Sequence, residues 1–152
     1  GAVLTQSLAI CEWLDETFPE PPLLPGSALE RARIRAFALV IASDIHPVQG
    51  GRTQNRLRKL GIAEAEVTAW AQNAVMDGLA ACEALLGPQE RQFCFGPTPT
   101  LADICLIPQL ANARRLGCFL EALPRLLAVE QACNALPAFV DARPERQPDA
   151  RP

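Results

Sequence analysis

The chain has 152 residues, 49% of them hydrophobic and 20% charged, with a formal net charge of −3. This balance excludes global disorder and provides enough apolar side chain for a real core. The small negative charge gives no electrostatic ground for binding nucleic acid or a membrane surface, and no apolar run approaches the ~20 residues of a membrane span.

At the start, Gly1-Ala2-Val3 offers neither the basic nor the long apolar region of a secretion signal, so none is expected there. There is also no initiator Met, as in a fragment, a processed chain or an incomplete reading frame. Ala2-Val3-Leu4 is a short extended apolar stretch that passes through Gln6-Ser7 into an amphipathic helix with Leu8, Cys11, Trp13 and Leu14 on or near one face. Pro19, Pro21, Pro22 and Pro25 stop that helix and form a stiff, packed connector. Ser27 and Glu30 match a capping box, and the helix behind them places Ile34, Phe37, Ala38, Ile41 and Ile45 on one face. Pro47 lacks a backbone donor and predicts a kink or break. Weak helical character resumes through residues 49–60, softened by Gly50-Gly51 and ended by Gly61.

A long helix is expected from Glu64 to Leu86, with Val67, Trp70, Ala74, Met76, Leu79 and Leu85 supplying much of its buried side and Gly87-Pro88 ending it. Thr100 and Asp103 form a second capping box. The helix they open, Leu101 to about Arg114, is apolar almost all round and belongs in the middle of a bundle. Two further helical stretches are expected near Leu120–Leu123 and Pro124–Asn134. The Pro-rich charged tail from Arg143 to Pro152 should wrap the surface or be disordered. The fold class is all-α, with five to seven helices.

Six cysteines are widely spaced, contain no C-x-x-C pair and sit mostly in apolar helical contexts, the habit of a small buried hydrophobe, so a reduced, cytoplasmic protein is expected. The single histidine, His46, is far from all of them in sequence, so no metal site is expected.

Several strings together resemble the zeta-class glutathione transferases, the maleylacetoacetate and maleylpyruvate isomerases. They are Gln6-Ser7 between an extended stretch and a helix, Asp44-Ile45-His46-Pro47, Phe93-Cys94-Phe95-Gly96, the run from Leu101 to Gln109, Ala111-Asn112-Ala113-Arg114-Arg115 and Arg146-Gln147-Pro148-Asp149. The resemblance spans nearly the whole chain. It implies a glutathione transferase C-terminal-type helical bundle preceded by the last strand and helix of a thioredoxin-like domain. The implied division is 1–18 for that remnant, 19–26 for a linker, 27–142 for the helical domain and 143–152 for the tail.

The implied activity is cis–trans isomerisation of a maleyl to a fumaryl keto acid in aromatic amino-acid catabolism, with glutathione as an unconsumed cofactor and a homodimer as the assembly. In the family, Gln6 and Ser7 match the γ-glutamyl contact. His46, Gly50, Gly51 and Arg52 sit where a kinked helix reaches the cofactor, with Gly-Gly standing where relatives usually carry Asn-Leu. Arg115 matches the group that grips a substrate carboxylate, a task suited to a guanidinium fork. The family's thiol-activating Ser-Ser-Cys cluster does not occur in this sequence, so no catalytic residue is assigned and this chain by itself is expected to be inactive.

Plainer roles compete with each assignment. Gln6-Ser7 can be an ordinary helix cap, His46 a helix-end residue, and Arg114-Arg115 cations at a helix C-terminus. The competing reading of the whole chain is a non-catalytic, transferase-like helical module for dimerisation or assembly. Pocket shape, which the residues do not give, decides between acetoacetate and pyruvate as the acyl group.

Overall fold

The computed structural model describes residues 1–88 and 91–150. Helix α1 spans Ser7–Thr17 and packs Leu8 and Cys11 against the core. It is tied down by Glu12, which accepts from Arg35 at 2.6 Å, and by Asp15, whose Oδ1 accepts the Leu23 N–H at 2.5 Å. Trp13 and Leu14 lie outside this contact and remain 49% and 38% exposed. Ala2-Val3-Leu4 is not a strand: no neighbouring strand lies beside it among the described residues, and an extended segment without a ladder partner has nothing to hold it in a sheet. The Pro-rich connector is packed as expected, with Leu24 buried and the Leu23 carbonyl accepting from Leu101 N–H at 2.9 Å.

The Ser27–Glu30 box forms, through Ser27 N–H to Glu30 Oε2 at 2.7 Å and Glu30 N–H to Ser27 Oγ at 3.3 Å. It opens α2 (Ala28–Leu39), which continues as a π-helical segment, Val40–Ile45, into the short α3 (His46–Gln49). The kink predicted at Pro47 is realised upstream as this widening. His46 N–H bonds to Ile41 O, five residues back, which moves the carbonyls aside where the proline ring would otherwise collide. Ile34, Phe37, Ala38, Ile41 and Ile45 are all buried, as their spacing predicts. After α4 (Gly51–Lys59), Gly61 turns the chain with φ +83°.

Helix α5 (Glu64–Leu86) buries Val67, Ala71, Val75, Leu79, Cys82, Glu83 and Leu86. Its inner face therefore follows a steadier four-residue step than expected, and Trp70 and Leu85 stand on its flank, 47% and 48% exposed. The helix passes so close to the π-helical segment that a Cβ at Gly78 would fall on the Cγ1 and Cδ1 of fully buried Ile45. Gly78→Ala is therefore expected to destabilise the protein by about 1 kcal/mol, because overpacking of roughly 1–3 kcal/mol exceeds the ~1 kcal/mol that alanine gains over glycine in a helix. Urea midpoints check this. Ile45→Val in the same background should recover part of the loss, and a more stable Gly78→Ala variant would show that the close approach is absent.

Helix α6 (Leu101–Arg115) runs through the middle, burying Leu101, Ala102, Asp103, Leu106, Gln109, Leu110 and Ala113. Before it, the Phe93–Gly96 turn sets Phe95 edge-on against Phe37, with ring centroids 5.8 Å apart. The helix expected near Leu120–Leu123 is only a turn, closed by Leu123 N–H to Leu120 O at 2.9 Å; Pro124 then starts α7 (Pro124–Asn134). A short α8 (Pro137–Asp141) follows, and the split at the π-helical segment together with α8 takes the count beyond the expected seven. The tail from Arg143 to Ala150 wraps the surface through a 3-10 turn, Pro144–Arg146, held by Arg146 to Asp141 at 2.9 Å and by the Gln147 amide; Arg151 and Pro152 lie outside the described residues.

Candidate functional site

At the head of α1, Gln6 adopts φ 72°, ψ 119°, a conformation that costs a non-glycine residue roughly 1–3 kcal/mol. Its carbonyl starts the helix by accepting Ile10 N–H at 3.0 Å, and no side chain caps the end. The amides of Ser7, Leu8 and Ala9 thus have no intrahelical acceptor, and they stand beside the exposed Ser7 hydroxyl. That arrangement suits a carboxylate. An ordinary cap would have a side chain folded back onto these amides, and Gln6 does not do this.

His46, Gly50, Gly51 and Arg52 gather around the corner between α3 and α4, with His46, Gly51 and Arg52 exposed. The corner is fastened by groups that sequence reasoning did not assign to it. Thr53 donates to Pro47 O at 2.6 Å, Gln54 to Gln49 O at 2.7 Å, and the Trp70 indole to Val48 O at 3.1 Å. The two glycines are not equivalent. A Cβ at Gly50 would lie 2.6 Å from the His46 carbonyl oxygen, whereas one at Gly51 meets nothing within 4 Å. Gly50 is therefore required by close backbone approach, and Gly51 leaves open space at the first turn of α4.

The two arginines ending α6 diverge. Arg114 forms a two-pronged pair with Glu130 of α7, both contacts 2.5 Å, and that carboxylate pushes its pKa up. Arg115 is exposed and, among the described residues, forms no ion pair; its Nη2 donates to Asn112 Oδ1 at 2.6 Å.

All six cysteines are free thiols. Burial pushes Cys82 and Cys133 up to about 12 and Cys105 to about 11, and raises Cys94 further, with Asp103 adding to the effect at Cys94. Cys11 and Cys118 are also raised by burial. None of these thiols is poised as a thiolate nucleophile. Among the described residues no His, Cys, Asp and Glu group could hold a metal ion. The seven candidate residues thus occupy three places, the head of α1, the α3–α4 corner and the end of α6, and no described hydrogen bond or ion pair joins one place to another.

Residues 3–132 match the family described as "Glutathione S-transferase, C-terminal domain". The chain belongs to that family. Within this transferase family, it is 46% identical to a maleylpyruvate isomerase from a Ralstonia species, over 97% of this chain and 71% of the relative. A maleylacetoacetate isomerase from Anaeromyxobacter dehalogenans, solved with dicarboxyethyl glutathione and citrate in its active site, superposes with a TM-score of 0.94 at 44% identity, covering 99% of this chain and 68% of that one. A holo maleyl pyruvate isomerase described as a bacterial zeta-class transferase superposes equally well, with a TM-score of 0.94 at 44% identity over 99% of this chain and 73% of that one. The chain is thus a zeta-class glutathione transferase, and its helical bundle is the transferase C-terminal fold.

Proposed function

We propose that this chain contributes to a glutathione-dependent isomerase that converts a maleyl keto acid, maleylacetoacetate or maleylpyruvate, into its fumaryl isomer. The observation that carries the reading is 46% identity to a protein of that activity along 97% of the chain, which favours the enzyme over a non-catalytic assembly module. Residues 1–18 are read as the end of a thioredoxin-like domain, 19–26 as the linker, 27–142 as the helical domain and 143–152 as its tail. A cytoplasmic homodimer is the proposed setting; among the described residues no helix is long and apolar enough to cross a membrane.

The residues present fit glutathione. The uncapped amides at the head of α1, with Gln6 and Ser7, offer donors for the γ-glutamyl carboxylate, and the α3–α4 corner presents His46, Gly50, Gly51 and Arg52 as a second wall. Bound glutathione supplies a thiol whose reversible addition turns the cis double bond into a rotatable single bond. The chain's own part is to hold the two molecules in register. Arg115, which meets no carboxylate among the described residues, takes a substrate carboxylate and fixes the acid against the cofactor.

This division of labour is tested in the chain joined to a zeta-class thioredoxin-like half. Arg115→Ala is expected to lower kcat/KM for the maleyl substrate by roughly 10- to 150-fold, the equivalent of a charge-assisted bond of about 1.5–3 kcal/mol, while glutathione binding changes little. Ser7→Ala should show the opposite order, with glutathione affinity falling first. A kinetically silent Arg115→Ala variant removes Arg115 from the substrate site.

A further inference from the structure

Helix α6 is apolar almost all round, yet it carries a polar stripe at three-residue steps: Gln109, Asn112 and Arg115. Gln109 is 1% exposed, and among the described residues neither of its amide atoms has a hydrogen-bond partner. Asn112 follows one turn later with its Nδ2 buried and equally unpartnered, and with its Oδ1 accepting from Arg115 Nη2 at 2.6 Å. A guanidinium can only donate, so this contact fixes which end of the Asn112 amide faces Arg115 and which turns inward. Desolvated amides without partners are costly, and a core helix built for packing alone would carry leucine in their place. Neighbouring Arg114 shows the alternative: the same side chain, one residue earlier, is neutralised by Glu130.

We infer that Asn112 is a positioning residue for Arg115. A neutral amide holds the guanidinium in one orientation without cancelling its charge, which a carboxylate partner would do. One hydrogen of Nη2 is given to Asn112, so one two-pronged edge of the guanidinium stays available to a substrate carboxylate, and the long side chain loses less freedom when that carboxylate arrives. The stripe runs from the buried interior to the exposed end of α6, so the orientation is set by a helix whose other faces are packed in the core. The inference rests on the proposed role of Arg115 as the substrate-carboxylate residue.

A double-mutant cycle in the chain joined to a zeta-class thioredoxin-like half tests it. Asn112→Ala is expected to lower kcat/KM for the maleyl substrate roughly 5- to 20-fold, chiefly through KM, with glutathione affinity retained. Asn112→Ser, which keeps a small acceptor, should fall between Asn112→Ala and the parent and also covers any failure of the alanine variant to fold. In an Arg115→Ala background, the Asn112→Ala loss should vanish, because its effect passes through the guanidinium. Losses that multiply in the double variant, or an Asn112→Ala variant with parental kinetics, overturn the inference while leaving Arg115 in place. A silent Arg115→Ala single variant overturns the inference and the substrate-site reading together.

Discussion

Asp103→Ala is expected to lower the stability of the fold by roughly 3–5 kcal/mol, well beyond the ~0.5–2 kcal/mol of an ordinary cap. Asp103 is fully buried, and its carboxylate accepts from Thr100 N–H at 2.7 Å, Thr100 Oγ1–H at 2.8 Å and Cys94 N–H at 2.9 Å. The first contact belongs to the capping box of α6, and the second ties the box's two side chains together. The third reaches across to the Phe93–Gly96 turn, which carries Phe95 onto Phe37. Truncation therefore leaves buried donors on two separate pieces of chain, each costing about 1–3 kcal/mol when unmatched. Urea unfolding of parent and variant measures the difference. A loss under ~1 kcal/mol would mean that the carboxylate is not the joint between turn and helix.

Glu83→Ala should cost about 2–4 kcal/mol for a related reason. Helix α7 begins Leu123-Pro124, so its N-cap side chain is apolar and offers no acceptor. The cap comes instead from α5, where Glu83 Oε1 accepts Arg125 N–H at 3.1 Å and Oε2 accepts Leu126 N–H at 2.9 Å. The carboxylate also favours the positive end of the helix dipole, and Arg125 covers it from outside at 3.4 Å. Glu83→Gln keeps one acceptor and should lose less. Amide exchange at Arg125 and Leu126 should quicken in Glu83→Ala before the rest of α7 is affected. Unchanged exchange there would show that α7 does not depend on this cap.

These two carboxylates mark the boundary of what local sequence can tell. The Ser27–Glu30 and Thr100–Asp103 boxes are legible because both partners lie within four residues, and the inner face of α2 is legible because its apolar spacing has no competitor. Glu83 looks like one more solvent-side acid of a helix, since its partners lie 42 and 43 residues ahead. At Trp70 the sequence points to burial because the side chain is a large aromatic, whereas the indole sits on the flank of α5 and fastens the α3–α4 corner. Pro47 announces a disturbance but not its form: the π-helical widening depends on how far upstream the carbonyls can yield. The candidate site follows the same pattern. Gln6-Ser7, His46 and Arg115 are visible as members of recurring strings. The backbone strain at Gln6, the steric need for Gly50 and the amide behind Arg115 appear only in three dimensions.

The proposed isomerisation uses glutathione and returns it unchanged. Its most direct test is turnover of maleylacetoacetate and maleylpyruvate by the chain joined to a zeta-class thioredoxin-like half, with free glutathione followed alongside product. The predicted result is fumaryl product formed only when glutathione is present, with the glutathione concentration unchanged after many turnovers. A folded protein that binds glutathione yet isomerises neither acid, or that consumes one glutathione for each acid converted, would contradict it.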